Sequence, residues 1–245
     1  MERGFIPTVD KAQRLIMAGD VLIDDIVISQ PGTLCDLKCR VRIKQKKSEF
    51  VSRGGDKLAG FLKDSALDVQ DKCCLDVGIS TGGFTDVLLR KNALHVCGVD
   101  VGYGILEYQL RKNTKLSLLE RTNAREVTEI ELNEVLANSH LTTKDINLVV
   151  MDVSFISVFS ILPNLIHLLN SDTDYVILIK PQFEADKHMI DFGGIVSNSL
   201  HLKEITDRVH AQFKGLGFET IHTAPSCLKG AKGNQEIFYH VRLAQ

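Results

Sequence analysis

From Cys73 onward, short apolar runs alternate with helix-length stretches so regularly that few folds accommodate the chain. Strand candidates fall at 73–77, 95–99, 115–119, 147–151 and 175–179. Such strand–helix alternation marks βαβ units and a parallel sheet covered by helices. The tail differs: a helical pattern at 200–213 leads to "FETIHTAPS" and "EIFYHVRL", two β-rich runs joined by "CLKGAKGNQ" that read as a hairpin. The expectation is an α/β fold closed by a terminal hairpin.

The first part of the chain has another character. Ala12, Leu15 and Ile16 fall at helical spacing within 8–18, with Gly19 as a stop. "VLIDDIVI" then reads as two strand pieces about an Asp-Asp turn, "QPG" as a further turn and "RVRIK" as a third alternating piece. So few residues bury little surface alone. The spacing therefore predicts a small α+β unit at 1–45, a basic linker at 46–58 and the main domain at 59–245. Net charge is only −2, yet residues 38–57 carry eight basic side chains against Glu49 and Asp56, which favours a polyanion locally.

Six cysteines without an apolar leader in "MERGFIPTVD" point to a reducing, cytoplasmic setting without disulfides. Cys35-x3-Cys39 with Cys73-Cys74 lacks a second tight pair at finger spacing, so no metal is expected. The segment 153–171 has no formal charge over nineteen positions, close to a bilayer span. Its Ser154, Ser157, Ser160, Asn164, His167 and Ser171 recur at helical spacing, which predicts instead an amphipathic helix with His167 on the wetter side.

Ligands of open parallel sheets bind beyond the carboxyl ends of the strands. The first turn, "DVGISTGGF" (76–84), is therefore the primary candidate: Gly78, Gly82 and Gly83 admit close backbone approach, and a helix opening at Gly83 offers free N–H groups. It lacks the Lys of a Walker loop and the G-x-G-x-x-G spacing of dinucleotide folds. Asp100 ends the second strand, twenty-four residues after Asp76, where a carboxylate accepts from ribose hydroxyls. Asp76 is placed for an amine or water, and Asn123 in "RTNAR" for an adenine edge, so the pattern points to an adenosine-bearing ligand.

The motifs "SRGGDKL", "LDVGISTGGFTDVLL", "GVDVGYG", "ERTNAR", "MDVSFIS", "LIKPQFE" and "GNQEIFY" occur in order along almost the whole chain. Together they resemble the TlyA family, known both as hemolysins and as ribosomal RNA 2′-O-methyltransferases. The resemblance implies a Rossmann-like class I methyltransferase domain with a seven-stranded, mostly parallel sheet in the order 3-2-1-4-5-7-6, related to FtsJ. It also implies an N-terminal RNA-binding module similar to that of ribosomal protein S-four, here shortened at its first helix. S-adenosylmethionine is the implied cofactor, expected at Asp76, Gly78, Ser80, Thr81, Gly82, Gly83, Phe84, Asp100, Val101, Asn123 and Asp152. Ribosomal RNA or ribosomal subunits are the implied partners, with Lys11, Arg14, Arg40, Arg42, Lys44, Lys46, Lys47 and Arg53 on phosphates.

The same resemblance implies a Lys-Asp-Lys-Glu set around the target hydroxyl, at Lys57, Asp152, Lys180 and Glu236. A ribose 2′-hydroxyl is a poor nucleophile until its proton is taken or strongly held, so alignment and a base are what the reaction needs. Lys180 is the candidate base, with Asp152 and Glu236 orienting it. Relatives that methylate amines carry Asn/Asp-Pro-Pro-aromatic where this chain has Asp152-Val153-Ser154-Phe155, which favours a hydroxyl target. Phe155 itself is expected in the core rather than on a base. The competing functions are a membrane-active hemolysin and a non-catalytic RNA-binding protein.

Overall fold

The computed structural model describes residues 9–17, 19–36, 38–43 and 48–244, apart from the side chains of Asp10 and Lys11. It divides into two compact units, Met1–Lys47 and Ser48–Gln245.

In the first unit α1 (Val9–Met17) precedes β1 (Val21–Ile23), β2 (Ile26–Ile28) and β3 (Val41–Ile43), an antiparallel sheet in the order β2-β1-β3. The Asp-Asp turn is as the sequence predicts. Asp24 and Asp25 have φ of +48° and +66°, the positive pair of a two-residue hairpin turn, which aspartate tolerates better than most side chains. Asp24 Oδ1 accepts from Arg40 N at 2.9 Å, which ties the turn to the start of β3.

The second unit contains α2 (Arg53–Ser65), β4 (Cys73–Val77), α3 (Gly83–Arg90), β5 (His95–Val99), α4 (Tyr108–Arg111), β6 (Leu116–Leu119), α5 (Glu129–Leu136) and β7 (Ile146–Met151). It continues through α6 (Leu162–Leu168), β8 (Asp174–Ile179), α7 (Pro181–Glu184), α8 (Ser199–Gly215), β9 (Phe218–Pro225) and β10 (Ile237–Leu243). All five expected parallel strands form, and the sheet order is β6-β5-β4-β7-β8-β10-β9, with β10 antiparallel to both neighbours. Counted within this unit, that is the 3-2-1-4-5-7-6 order of the resemblance.

Strand period explains the two cores. Cys73, Leu75 and Val77 face one side with Val149, Met151, Tyr175 and Ile177, under α5, α6 and α8. Cys74, Val96, Leu148, Val150 and Val176 face the other with Leu58, Phe61 and Phe84 from α2 and α3. Every residue of β4, β5 and β8 is buried, which is why these strands read as mainly apolar runs, with Asp76, His95 and Asp174 as the exceptions.

Three expectations need correction. The basic stretch 46–58 is helical from Arg53, and α2 buries Gly55, Lys57 and Leu58, because the apolar face carried by Leu58, Phe61 and Leu62 extends back to Gly55. The segment 153–171 is not one amphipathic helix. It holds a 3-10 turn, Val158–Ser160, and then the seven-residue α6. Phe155 has φ of +68° and Ser157 caps Phe159 N, so the chain reverses before any helix starts. His167 is exposed as expected. Phe155 is 91% exposed rather than in the core, since the reversal turns it outward. Among the described residues no helix is long and apolar enough to cross a membrane.

At the amino edge of the sheet, away from the strand ends that carry the motifs, Asp174 clamps two strands. Its Oδ1 accepts from His240 Nε2 at 2.8 Å and Arg242 Nη2 at 2.6 Å, and Lys72 Nζ lies 3.3 Å from Oδ2. Burial alone would raise the Asp174 carboxyl, but His240, Arg242 and Lys72 together bring it down to about 2. Its pKa is thus lower folded than unfolded, so its stabilising contribution is complete above about pH 4 and disappears as pH falls towards 2. Asp174→Ala strands His240 and two cations beside a buried edge and is expected to cost about 3 kcal/mol in denaturant unfolding at pH 7.

Candidate active site

The carboxyl ends of β4, β5, β7 and β8 open into one cavity of about 560 Å³. Asp76, near the end of β4, is 1% exposed and sits beneath the start of α3. Its Oδ2 accepts from Thr85 N at 3.1 Å and Thr85 Oγ1 at 2.7 Å, whereas Oδ1 is buried with no hydrogen-bond partner. Burial pushes this carboxyl up to about 7, against the pull of the Thr85 bonds and with added repulsion from Asp152 and Asp100. A buried oxygen without a donor on the wall of a cavity is a ready receptor for a cationic group.

The glycines have a steric reason here. Gly78 has φ of +83°, and a Cβ on it would lie 2.8 Å from the Asp152 carbonyl oxygen, so the turn passes too close to the end of β7 for a side chain. A Cβ on Gly83 would lie 2.2 Å from Ser52 Oγ, which packs the residues before α2 against the opening of α3.

Beyond the end of the neighbouring strand β5, Asp100 is held by backbone donors, Ser80 N to Oδ2 at 2.8 Å and Gly102 N to Oδ1 at 2.7 Å. Each oxygen keeps a lone pair for a further donor. Glu120 steadies the following loop by accepting from Gly104 N at 2.7 Å and Arg111 Nη2 at 2.5 Å. Asn123 lines the cavity with its Oδ1 accepting from Arg125 N at 3.1 Å.

Four charged residues expected together form two ion pairs. Lys180 directly follows β8, is 9% exposed, and donates from Nζ to Ser154 Oγ at 2.7 Å. The same Nζ lies 2.7 Å from Asp152 Oδ1, an ion pair without hydrogen-bond alignment. Lys57, from α2, pairs with Glu236 Oε2 at 2.5 Å. Glu236 therefore serves Lys57, whereas the sequence suggested that it orients Lys180. Burial gives the reason, since Lys57 and Glu236 are 8% and 2% exposed and each needs the other's charge. Asp152 and Lys180 line the cavity.

Of the other residues expected at the cofactor, Gly78, Ser80, Thr81, Gly83, Phe84, Asp100, Val101 and Asn123 line the same cavity. Gly82 instead caps α3 with φ of +92° against Leu106 and Leu110. Sequence reasoning passed over Ser52, Gly54, Thr122 and Ile161 of the lining, and Thr85 behind it. Ser52 and Gly54 both lie within "SRGG", where the motif was visible but the fold-back onto α3 was not.

The expected phosphate contacts divide. Arg40 and Arg42 both pair with Asp25 on the exposed face of the small unit, and Arg14 is exposed on α1. Arg53 belongs to the large unit and donates to the Lys229 carbonyl at 2.7 Å. The Lys11 side chain and Lys44, Lys46 and Lys47 lie outside the described residues.

The FtsJ-like methyltransferase family matches residues 50–243. A Mycobacterium tuberculosis protein named 16S/23S rRNA (cytidine-2′-O)-methyltransferase TlyA is 37% identical over 99% of this chain and 87% of its own length. Hemolysin A of Brachyspira hyodysenteriae is 33% identical over 97% of this chain and 95% of its own. A solved structure described as a hemolysin from Streptococcus thermophilus superimposes with a TM-score of 0.76 at 33% identity, covering 100% of this chain and 86% of that one.

Proposed function

The chain belongs to the TlyA family of FtsJ-like methyltransferases, and from that premise we propose that it methylates ribose 2′-hydroxyls of ribosomal RNA with S-adenosylmethionine. The observation that carries this reading is one cavity lined both by Asp76, with its unpartnered buried carboxylate oxygen, and by Lys180. The cofactor, when bound, supplies an electrophilic methyl group on a sulfonium.

The residues present fit that group. Asp76 Oδ1 receives the ammonium of its methionine end, the bare backbone from Gly78 to Gly83 makes room for it, and Asp100 takes the ribose hydroxyls. Asn123 lies where an adenine edge is read. Lys180, in its unprotonated form, accepts the proton of the 2′-hydroxyl as that oxygen attacks, and Asp152 balances the charge that Nζ then carries, as it does in the resting ion pair. The Lys57–Glu236 pair, buried behind, holds α2 against β10. Exposed Phe155, 5.4 Å from the Phe183 ring, offers the target base a face to stack on. The small unit and its arginines supply affinity through phosphates without reading sequence.

Transfer of tritiated methyl groups from S-adenosylmethionine to 30S and 50S subunits, purified from a strain lacking this gene, tests the proposal. Label recovered as ribose-methylated nucleotides is the expected result, and cytidines are the first sites to map because the relatives are named for them. Label confined to bases or to protein, or none on either subunit, would refute it. Dye release from lipid vesicles without methyl transfer would support the membrane-active reading instead.

A further inference from the structure

Beyond the four charged residues, we infer that Ser154 is a positioning residue for Lys180, its hydroxyl fixing the direction in which the Lys180 amine presents its lone pair. The inference rests on the reading of Lys180 as the base. Lys180 Nζ has two close oxygen neighbours, and the aligned hydrogen bond goes to Ser154 Oγ at 2.7 Å. The Asp152 contact has equal length but lacks that alignment, so it supplies charge and only a weak directional pull on Nζ. A neutral amine has two N–H bonds and one lone pair. With one N–H donated to Ser154 and Asp152 drawing the other, the lone pair has a single remaining direction. Without Ser154 the same charge is present and the lone pair has no fixed aim.

The loop that carries Ser154 is built to hold it. Gly78 lets the Asp152 carbonyl close onto the first turn, and Asp152 N continues the ladder to Val77 O at 3.1 Å. After the left-handed Phe155, Ser157 Oγ donates to Glu184 Oε2 at 2.6 Å and Val158 N to Oε1 at 3.0 Å. Arg208 of α8 fixes that position in turn by donating to the Glu184 carbonyl at 2.6 Å. Glu184 ends α7, the short helix that begins directly after Lys180. One rigid turn therefore sets both the lysine and the loop that presents its hydroxyl partner.

The test compares Ser154→Ala and Ser154→Thr with the wild-type protein on ribosomal subunits from a strain lacking the gene. Ser154→Ala is expected to lower kcat about ten- to a hundredfold, the scale of a misaimed reacting group. Affinity for S-adenosylmethionine by calorimetry and KM for the subunits are expected to stay within about twofold, and Ser154→Thr, which keeps the hydroxyl, to recover kcat to within about threefold. Wild-type kcat in Ser154→Ala overturns the inference, as does a threonine variant no better than alanine, or a change confined to KM or cofactor affinity. Lys180→Ala in the same assay separates the two readings: if it is inactive while Ser154→Ala is normal, only the Ser154 inference fails, and if it is active, the reading of Lys180 fails with it.

Discussion

Lys180→Ala is expected to lower methyl transfer by a factor of about 10² to 10⁴, the range typical of a positioned acid–base group. S-adenosylmethionine affinity, measured by calorimetry, is expected to change little, because Asp76, Asp100 and the glycine turn are untouched. The fold should also survive. Lys180 follows a strand end and lines the cavity, and although Asp152 Oδ1 is itself buried, the Asp152 side chain is 22% exposed, so water entering from the cavity in place of the amine takes over part of the lost charge. Lys57 offers the contrast. Its partner Glu236 is 3% exposed at the side chain, and Lys57→Ala leaves a buried carboxylate alone at a cost of about 3 to 5 kcal/mol. Activity loss in Lys57→Ala should therefore accompany a lower melting temperature, and loss in Lys180→Ala should not. A Lys180→Ala protein that methylates at the wild-type rate removes this residue from proton transfer.

Asp76→Asn is expected to weaken S-adenosylmethionine binding about ten- to a hundredfold, the worth of a hydrogen bond between charged groups. Asparagine can still accept from Thr85, which directs its NH₂ towards the cavity where an ammonium is to bind. The same substitution is expected to stabilise the unliganded fold above pH 7. Burial raises the Asp76 carboxyl from 3.8 to about 7. A carboxyl whose folded pKa lies above its unfolded value binds a proton more tightly in the native state, so it erodes stability as pH rises from about 4 to about 7. A neutral amide has no such penalty.

The pH dependence of binding has the opposite sign. A bound cation favours the carboxylate, so wild-type affinity should rise with pH, level off above about 7, and fall by up to tenfold per unit below it. Calorimetry in two buffers of different ionisation enthalpy at pH 6.5 should show proton release on binding. Affinity independent of pH between 6 and 8 would mean that Asp76 does not meet the cationic end of the cofactor.

Much of the scaffold was legible because its signals are local. The runs at 73–77 and 95–99 became β4 and β5 without a shift in boundary, since a strand buried on both faces leaves a predominantly apolar mark, broken here only by Asp76 and His95. The Asp24-Asp25 turn was legible because positive φ restricts residue choice within the turn itself. The segment 153–171 was misread because periodicity takes no account of backbone reversal. Its serines repeat at helical spacing, yet Ser154 faces Lys180 and Ser157 caps a 3-10 turn held by Glu184. Phe155 followed the same error, an apolar residue assigned to a core from which a left-handed residue turns the chain away.

By itself the sequence determined the order of strands and helices, the glycine turn with its flanking acids, and the motifs that carry the family. Tertiary structure alone decided who partners whom. Lys57 meets Glu236 across 179 residues and Lys180 meets Ser154 across 26. Such pairs are fixed by strand register, by the packing of α2 on α3 and β9 and by that of α7 on α8, and none of these is written in the residues near either partner. Backbone conformation is chosen within a few residues and leaves a mark on composition, whereas the partner of a buried charge is chosen by whatever the finished fold brings within 3 Å of it.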